Sequence, residues 1–105
     1  MSLLLSPYEH TYIHLKNKVV MPPMCMYKAD TNGNMTDFHL THYTARALGG
    51  VGLIIVEATA VEPRGRISDN DLGLWDDTHI EAHKTLVSSC HAYGAKMAVQ
   101  LAHAG

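Results

Sequence analysis

Two kinds of pattern alternate along the chain: short continuous apolar runs, and longer segments with apolar residues at helical spacing. Apolar runs cover residues 19–21, 51–58 and 95–102, and such runs are typical of strands that are buried on both faces of a parallel sheet. Between them, residues 36–48 and 76–93 carry apolar side chains three or four positions apart, which predicts two helices. The order strand, helix, strand, helix, strand predicts an α/β fold.

Capping residues and glycines mark the ends of both predicted helices. Thr36 or Asp37 is expected to cap the first helix, which Gly49-Gly50 ends. Asp76 or Thr78 is expected to cap the second helix, with Thr78 and Glu81 as a capping box and Gly94 just beyond its end. The positions predicted to face inward are Leu40, Tyr43, Ala47 and Leu48 in the first helix, and Ile80, Leu86 or Val87, Cys90 and Tyr93 in the second.

Residues 1–18 are predicted to form an N-terminal extension or a small hairpin, ahead of the three main strands and two helices in residues 19–105. The turn-rich segment 62–77 is expected to fold back onto the body of the protein through Leu72, Leu74 and Trp75.

The first main strand ends abruptly at two prolines. Pro22 and Pro23 have no backbone N–H to donate, so a sheet ladder cannot continue past them. The polarizable and aromatic residues 24–27, Met-Cys-Met-Tyr, come directly afterwards. Because α/β sheets bind ligands at the ends of their strands, this segment predicts a site for a flat, apolar ligand.

Composition and charge exclude several classes of function. The chain is 47% hydrophobic and 17% charged, with a formal charge of -2 and no run of basic residues, so we expect neither a nucleic-acid nor a membrane partner. The longest apolar run, residues 51–56, is far shorter than the roughly 20 residues of a membrane helix. The absence of an export signal predicts a cytoplasmic protein, in which Cys25 and Cys90 are thiols.

The known glycine-rich nucleotide motifs are missing, which favours part of a barrel over a dinucleotide-binding domain. A closed barrel of parallel strands has eight strands and about 250 residues. Three strands cannot close one, so we expect this chain to be a fragment with unpaired strand edges.

Several segments, taken in order, match one enzyme family. They are Leu15-Lys16-Asn17, Val20-Met21-x-Pro23-Met24-Cys25-Met26-Tyr27, Phe38-His39-x-x-His42-Tyr43, Gly52-Leu53-Ile54-Ile55-Val56-Glu57-Ala58 and Gln100-Leu101-x-His103-x-Gly105. The chain resembles the Old Yellow Enzyme family, in particular its bacterial thermophilic-like branch of FMN-dependent ene-reductases. The resemblance implies the N-terminal β/α units of a (β/α)8 TIM barrel, incomplete in this chain.

The resemblance also implies an activity and a set of site residues. Family members use NAD(P)H to reduce bound FMN, and then reduce the C=C bond of a small-molecule substrate, an α,β-unsaturated carbonyl or nitro compound. The implied cofactor-binding residues are Pro22, Pro23, Met24, Cys25, Ala58 and Gln100, and the implied substrate-binding residue is Tyr27. Gln100 suits the flavin's pyrimidine edge because an amide both donates and accepts hydrogen bonds.

Cys25 and Pro22 have particular chemistry among the implied cofactor-binding residues. Cys25 is expected to tune the flavin by a weak hydrogen bond and not to act as a nucleophile, since no Lys or Arg adjoins it in the sequence. Pro22 stands where close relatives often carry a small residue such as Ser, and it offers only a carbonyl.

By the same resemblance, the substrate-orienting pair, the proton donor and the phosphate-binding loops lie beyond residue 105. We therefore expect no catalytic residue within the chain, and neither NAD(P)H turnover nor tight FMN binding by these residues alone. We also expect a homo-oligomer.

Eight histidines raise the question of a metal site. His39 and His42 are three positions apart, and His79 and His83 four apart, but no Cys, Asp or Glu evidently completes either pair. Packing and helix-surface roles are favoured, and no metal is predicted.

Some alternatives stay open at this point. Glu57 suits either a catalytic carboxylate or a structural hydrogen bond, His103 is undecided, and Gln100 is expected to be a buried amide that needs a partner. The alternative functions are a fragment of a 2,4-dienoyl-CoA reductase-like flavoenzyme and a non-enzymatic partial barrel that self-associates to cover its open edges.

Overall fold

The described part of the chain is a parallel sheet with two helices on one face. A computed structural model describes residues 2–105, so Met1 of the predicted extension lies outside the described residues. The elements are β1 (Tyr8–Glu9), β2 (His14–Leu15), β3 (Val20–Met21), α1 (Asp37–Leu48), β4 (Leu53–Ala60), β5 (Leu72–Gly73), α2 (Ile80–Ala92) and β6 (Lys96–Ala102). The predicted α/β order is confirmed, since β3, β4 and β6 are parallel neighbours with β4 in the centre.

The two edges of β4 are covered in different ways. β6 pairs along one edge from Leu53 to Ala60. The opposite edge is shared, because β3 pairs with the first two residues of β4 and β5 pairs with its last two. Pro22 and Pro23 end β3. The middle of β4 is therefore left without a strand partner on this edge within residues 2–105, and the loop that follows β3 approaches it there.

The core lies between the sheet and the two helices. It contains Met21, Ala29, Tyr43, Ala47, Ile54, Val56, Leu72, Leu86, Cys90 and Ala95. The helices also contact each other directly, through a hydrogen bond of 2.9 Å between Thr44 Oγ1 and Ser89 Oγ. The sheet is thereby covered on the face where both helices pack.

Three of the predicted inward positions are wrong. Leu48, Ile80 and Tyr93 are 66%, 41% and 45% exposed. Leu48 follows Ala47, the last residue of the buried stripe in α1, and so lies about 100° around the helix from that stripe. Ile80 is the first residue of α2 and Tyr93 follows its last, whereas the buried residues of α2 are Leu86 and Cys90. Leu48 therefore points away from the buried face of α1, and the two ends of α2 are exposed.

Asp76, one of the two predicted candidates, caps the 3-10 turn that leads into α2, while the N-cap of α2 itself is His79. Asp76 Oδ1 accepts a hydrogen bond of 2.9 Å from the Thr78 N–H, and residues 77–79 make one 3-10 turn before α2 begins. The capping box of Thr78 and Glu81 is not formed, because Thr78 lies inside that turn.

The hairpin of β1 and β2 lies at the amino ends of the main strands. Lys16 Nζ donates to the Tyr93 carbonyl at 2.8 Å, and Asn17 Nδ2 donates to the Gly50 carbonyl at 2.8 Å. Gly52 permits this approach, since a β carbon there would lie 2.6 Å from the Asn17 carbonyl oxygen. The hairpin therefore covers one end of the sheet and leaves the other end open.

Candidate functional site

The predicted site residues lie at the open end of the sheet. Residues 22–27 follow directly on β3, while Ala58 and Gln100 are each third from the end of their strands, β4 and β6. The carboxyl ends of parallel strands meet at one edge, where α/β proteins bind their ligands. The fold thus brings the three predicted segments to the same end of the molecule.

These residues differ in how far solvent reaches them. Ala58 is buried, Pro23 and Cys25 are half-buried, and the exposed ones are Pro22, Met24, Tyr27 and Gln100. The exposed set is largely apolar, with Gln100 as its one amide.

The prediction that Gln100 is a buried amide is wrong for the described chain. Gln100 is exposed, because no residue within 2–105 covers the face of the sheet to which it points, and β6 has no strand on its second edge there. Its side-chain amide makes no hydrogen bond to any of these residues. A donor and an acceptor are therefore free at the end of the sheet, as a ligand with a polar edge requires.

A bulge in β4 lies at the centre of this site. The pairing with β6 runs from Val56 opposite Val99 to Thr59 opposite Leu101, so that Glu57 and Ala58 together face the single residue Gln100. Bulges occur preferentially next to functional sites, where they turn a side chain in a new direction. Sequence patterning gave no sign of the bulge, because residues 51–58 are continuously apolar up to Glu57.

The bulge changes the direction of Glu57. Val56 belongs to the core beneath the helices, and in a regular strand the next side chain would point to the opposite face. Glu57 instead reaches Tyr43 of α1, whose hydroxyl donates a hydrogen bond of 2.5 Å to Oε2. Glu57 is 1% exposed and faces the helices. The structure therefore favours the structural alternative for Glu57.

A histidine completes this buried polar cluster. His39 Nδ1 accepts a hydrogen bond of 3.0 Å from the Thr36 backbone N–H, which places the ring proton on Nε2. Nε2 lies 3.6 Å from Glu57 Oε1, which is too long for a hydrogen bond, and His39 is fully buried. Helical spacing alone marks Tyr43 as an apolar position and does not predict its hydrogen bonds. The one sign of a buried polar cluster in the sequence is Glu57, a carboxylate at the end of an apolar run.

Cys25 and Tyr27 are close together on the loop after β3. The pKa of the Tyr27 phenol is raised from its ordinary value of 10.0, chiefly by the nearby Cys25 sulfur, then by partial burial and by the Asp71 carboxylate. Tyr27 keeps its proton at neutral pH, as an ordinary phenol does, and the shift extends this to more alkaline solution. Its hydroxyl can donate a hydrogen bond to a ligand at this end of the sheet.

A second polar cluster joins the loops that follow β4 and β6. His103 Nδ1 accepts from the Gly105 N–H, and His103 Nε2 donates to Glu62 Oε1 at 2.6 Å. Arg64 Nε donates to the same oxygen at 2.7 Å. The pKa of Glu62 is lowered, first by Arg64 and then by His103. This cluster ties the two loops together. Its contact between Glu62 and His103 joins residues 41 positions apart, so no local pattern predicts it.

The paired histidines have packing partners. His79 is buried, with Nε2 at 2.8 Å from the Asn32 carbonyl and Nδ1 accepting from the Trp75 N–H. His83 Nδ1 donates to the His79 carbonyl at 2.9 Å. Within residues 2–105, no three His, Cys, Asp or Glu side chains are grouped as a metal ion would require. In the same residues, no helix is long and apolar enough to cross a membrane.

Comparison with known proteins identifies the family. A sequence profile of the NADH:flavin oxidoreductase / NADH oxidase family matches residues 4–105. The chain belongs to this family. The chain is also 59% identical over 91 residues to an NADPH dehydrogenase of Clostridium acetobutylicum, which covers 87% of the chain and 27% of that protein.

Solved structures of flavin oxidoreductases share the fold. The Old Yellow Enzyme of a Pichia species superposes with a TM-score of 0.89 at 32% identity, over 96% of this chain and 26% of that one. A 2-naphthoyl-CoA reductase superposes with a TM-score of 0.92 at 25% identity, over 98% of this chain and 16% of that one. The resemblance to the Old Yellow Enzyme family is confirmed, and the described sheet is part of a TIM barrel. The chain spans less than a third of the length of these relatives.

The residues at the open end suit a flavin of this family. An isoalloxazine ring needs apolar contact on its faces and paired donors and acceptors along its pyrimidine edge. Pro23 and Met24 offer the first, and the free amide of Gln100 offers the second. Ala58, next to Gln100 across the bulge, adds a small buried side chain that does not fill the space at the strand end.

Proposed function

We propose that the protein to which this chain belongs is an FMN-dependent NAD(P)H oxidoreductase that reduces the C=C bond of α,β-unsaturated carbonyl or nitro compounds. Membership of the flavin oxidoreductase family supports this proposal. The observation that carries it is the free Gln100 amide, set beside Ala58 by the bulge at the carboxyl ends of the strands.

Each predicted residue has a distinct part in this proposal. Pro22 and Pro23 end the strand, and Pro23 and Met24 contact the ring face. The Cys25 thiol approaches the carbonyl edge of the ring as a weak donor. Gln100 hydrogen-bonds the pyrimidine edge through both ends of its amide, while Ala58 leaves room for the ring.

Tyr27 faces the substrate. The phenol is protonated at neutral pH, as its ordinary pKa of 10.0 already ensures and the upward shift reinforces, so that it can donate a hydrogen bond to a carbonyl or nitro oxygen. Bound FMN would supply the hydride chemistry, with electrons taken from NAD(P)H and delivered to the C=C bond. The residues described here bind and orient; none of them is proposed to transfer a proton to substrate.

The test compares FMN binding and turnover in a protein of the relatives' length that carries this chain. Gln100→Ala is expected to weaken FMN binding about tenfold or more, the effect of losing two hydrogen bonds at a bound ligand. Thr41→Ala, at an exposed position of α1, is the control and should leave binding unchanged. Absence of flavin absorbance and of NAD(P)H oxidation with 2-cyclohexenone would overturn the proposal.

The 105 residues alone are proposed to be inactive. They supply one open side of the site, and Gln100 and Met24 stay exposed at it. Ene-reductase turnover by residues 1–105 alone would contradict this inactivity.

The proposal extends to a cytoplasmic homo-oligomer as the working form. Light scattering on the purified protein tests the oligomeric state.

Two other candidates each have one supporting observation. The likeness to the 2-naphthoyl-CoA reductase supports a thioester substrate, which NAD(P)H-dependent reduction of an enoyl-CoA would reveal. The free edge of β6, with Val99 and Leu101 37% and 59% exposed, supports a partial barrel that self-associates. Flavin-free oligomers of the 105 residues would favour that second candidate.

A further inference from the structure

The loop that carries Cys25 and Tyr27 is held in an unfavourable backbone conformation. Tyr27 has a φ of 57°, the one positive value at a residue other than glycine among residues 2–105. The left-handed region is unfavourable for a residue with a β carbon. Such a conformation persists only where contacts on both sides of the residue determine the path of the chain.

The contact on the carboxyl side is a pair of hydrogen bonds to one residue. The Ala29 N–H donates to the Asn70 carbonyl at 3.1 Å, and Asn70 Nδ2 donates to the Ala29 carbonyl at 2.9 Å. Both backbone groups of Ala29 are thereby fixed two residues after Tyr27.

The contact on the amino side is made by Glu57. The Met26 N–H donates to Glu57 Oε1 at 3.5 Å, and no other acceptor for this N–H lies within residues 2–105. The hydrogen bond is long, so its effect depends on an acceptor that is held in place and shielded from water.

Glu57 meets both conditions. The carboxyl group is buried, its Oε2 is fixed by the Tyr43 hydroxyl, and the backbone N–H of Glu57 donates to the same hydroxyl at 3.1 Å. The Nε2–H of His39 faces Oε1 at 3.6 Å from within the core. The bulge supplies the direction, since a regular strand would turn the carboxylate away from α1 and from Met26.

We propose that Glu57 is a positioning residue, which holds the Met26 amide and thereby sets the Cys25 thiol and the Tyr27 phenol at the strand end. The inference rests on the proposed function only in assuming that the Cys25 thiol faces the flavin and the Tyr27 phenol faces the substrate. Its structural part concerns residues of this chain alone, and can be tested without turnover.

The test measures amide hydrogen exchange at Met26 in the purified protein as isolated. Glu57→Met keeps the size of the side chain but removes the acceptor of this amide, and is expected to raise its exchange about three- to tenfold. Glu57→Gln keeps an oxygen acceptor and is expected to stay within about twofold of the original protein. Glu81→Met, at an exposed glutamate of α2, is the matched control.

Exchange in the middle of β6 shows whether the fold is intact. Unchanged exchange at Met26 in a folded Glu57→Met variant would overturn the proposal. If that variant does not fold, Tyr43→Phe replaces it: loss of the orienting hydroxyl should raise exchange at the Met26 amide about two- to threefold, and no rise counts against Glu57.

FMN dissociation constants of the same variants separate this proposal from the previous one. Faster exchange with weaker FMN binding supports both. Faster exchange with unchanged FMN binding supports the positioning of the loop and contradicts its place against the flavin. Unchanged exchange overturns the role of Glu57 while leaving the proposed flavin site standing.

Discussion

Glu57 and Tyr43 are joined at two points: the Tyr43 hydroxyl donates to Glu57 Oε2 at 2.5 Å and accepts from the Glu57 backbone N–H at 3.1 Å. Both side chains are buried, with 1% of each residue exposed. One phenol thus satisfies a carboxylate and a main-chain donor inside the core, where either group left alone would be costly.

Tyr43→Phe is expected to destabilise the fold by about 1–3 kcal/mol, because it leaves a buried carboxylate oxygen and a backbone N–H without this partner. Urea unfolding measures the change. Tyr12→Phe removes the same hydroxyl at a position that is 91% exposed, and should change stability by less than about 0.5 kcal/mol. Equal effects of the two substitutions would show that the buried pair adds nothing.

Stability should fall at alkaline pH because of Tyr43. Burial, and then the hydrogen bond to Glu57, raise the pKa of this phenol well above its ordinary value of 10.0. Above about pH 10 the phenol of the unfolded chain releases its proton while that of the folded protein retains it, so folding becomes less favourable as pH rises. The stability gap between the original protein and Tyr43→Phe should therefore shrink between about pH 8 and about pH 11. A constant gap contradicts the pKa shift.

Gly73→Ala is expected to displace Trp75 and to cost about 1–3 kcal/mol. A β carbon at Gly73 would overlap the indole ring, which also covers Gly33. Trp75 is the single tryptophan, so its fluorescence reports the displacement directly. Gly49→Ala is the control, since Gly49 has a φ of -69° and its β carbon would lie 3.4 Å from the nearest atoms. Unchanged emission from Gly73→Ala would contradict this packing.

The two thiols should react at different rates. Cys25 is half-buried at the open end of the sheet, whereas Cys90 is fully buried, and burial raises the pKa of its thiol. Because the thiolate is the reactive form, iodoacetamide should modify Cys25 at least about tenfold faster than Cys90 in the folded protein. Mass spectrometry of the digested protein locates the label, and Cys25→Ser should leave a nearly unlabelled chain. Preferential labelling of Cys90 would contradict the described packing.

Local pattern was enough to predict the order of elements. The apolar run 51–58 and the prolines after Met21 indicated buried parallel strands and the point where the first one stops. Both patterns involve residues that are close together in the sequence, so they predict strands without knowledge of which elements pack against them. The family resemblance then located the site residues, whose roles stay predictions.

What the sequence did not predict depends on contacts between distant residues. The bulge at Glu57 exists only in the pairing of β4 with β6, and the partner of Glu57 lies on α1. The apolar strand around Gln100 predicts a buried side chain, but burial depends on what covers that face of β6, and nothing within residues 2–105 does. Ile80 and Tyr93 stand at the two ends of α2 and are exposed, which periodicity alone does not show.

The extra residue in β4 also matters for insertions and deletions. Up to Val56, every second side chain of this strand packs under the helices. At the bulge this alternation shifts by one residue, so that Glu57, directly after Val56, also faces the helices. Deleting Ala58 would remove the bulge and leave Glu57 in a regular ladder, where its carboxylate would point to the face opposite the helices. A combinatorial library designed as if residues 53–60 were one regular strand would therefore randomise core positions in place of positions on the face opposite the helices.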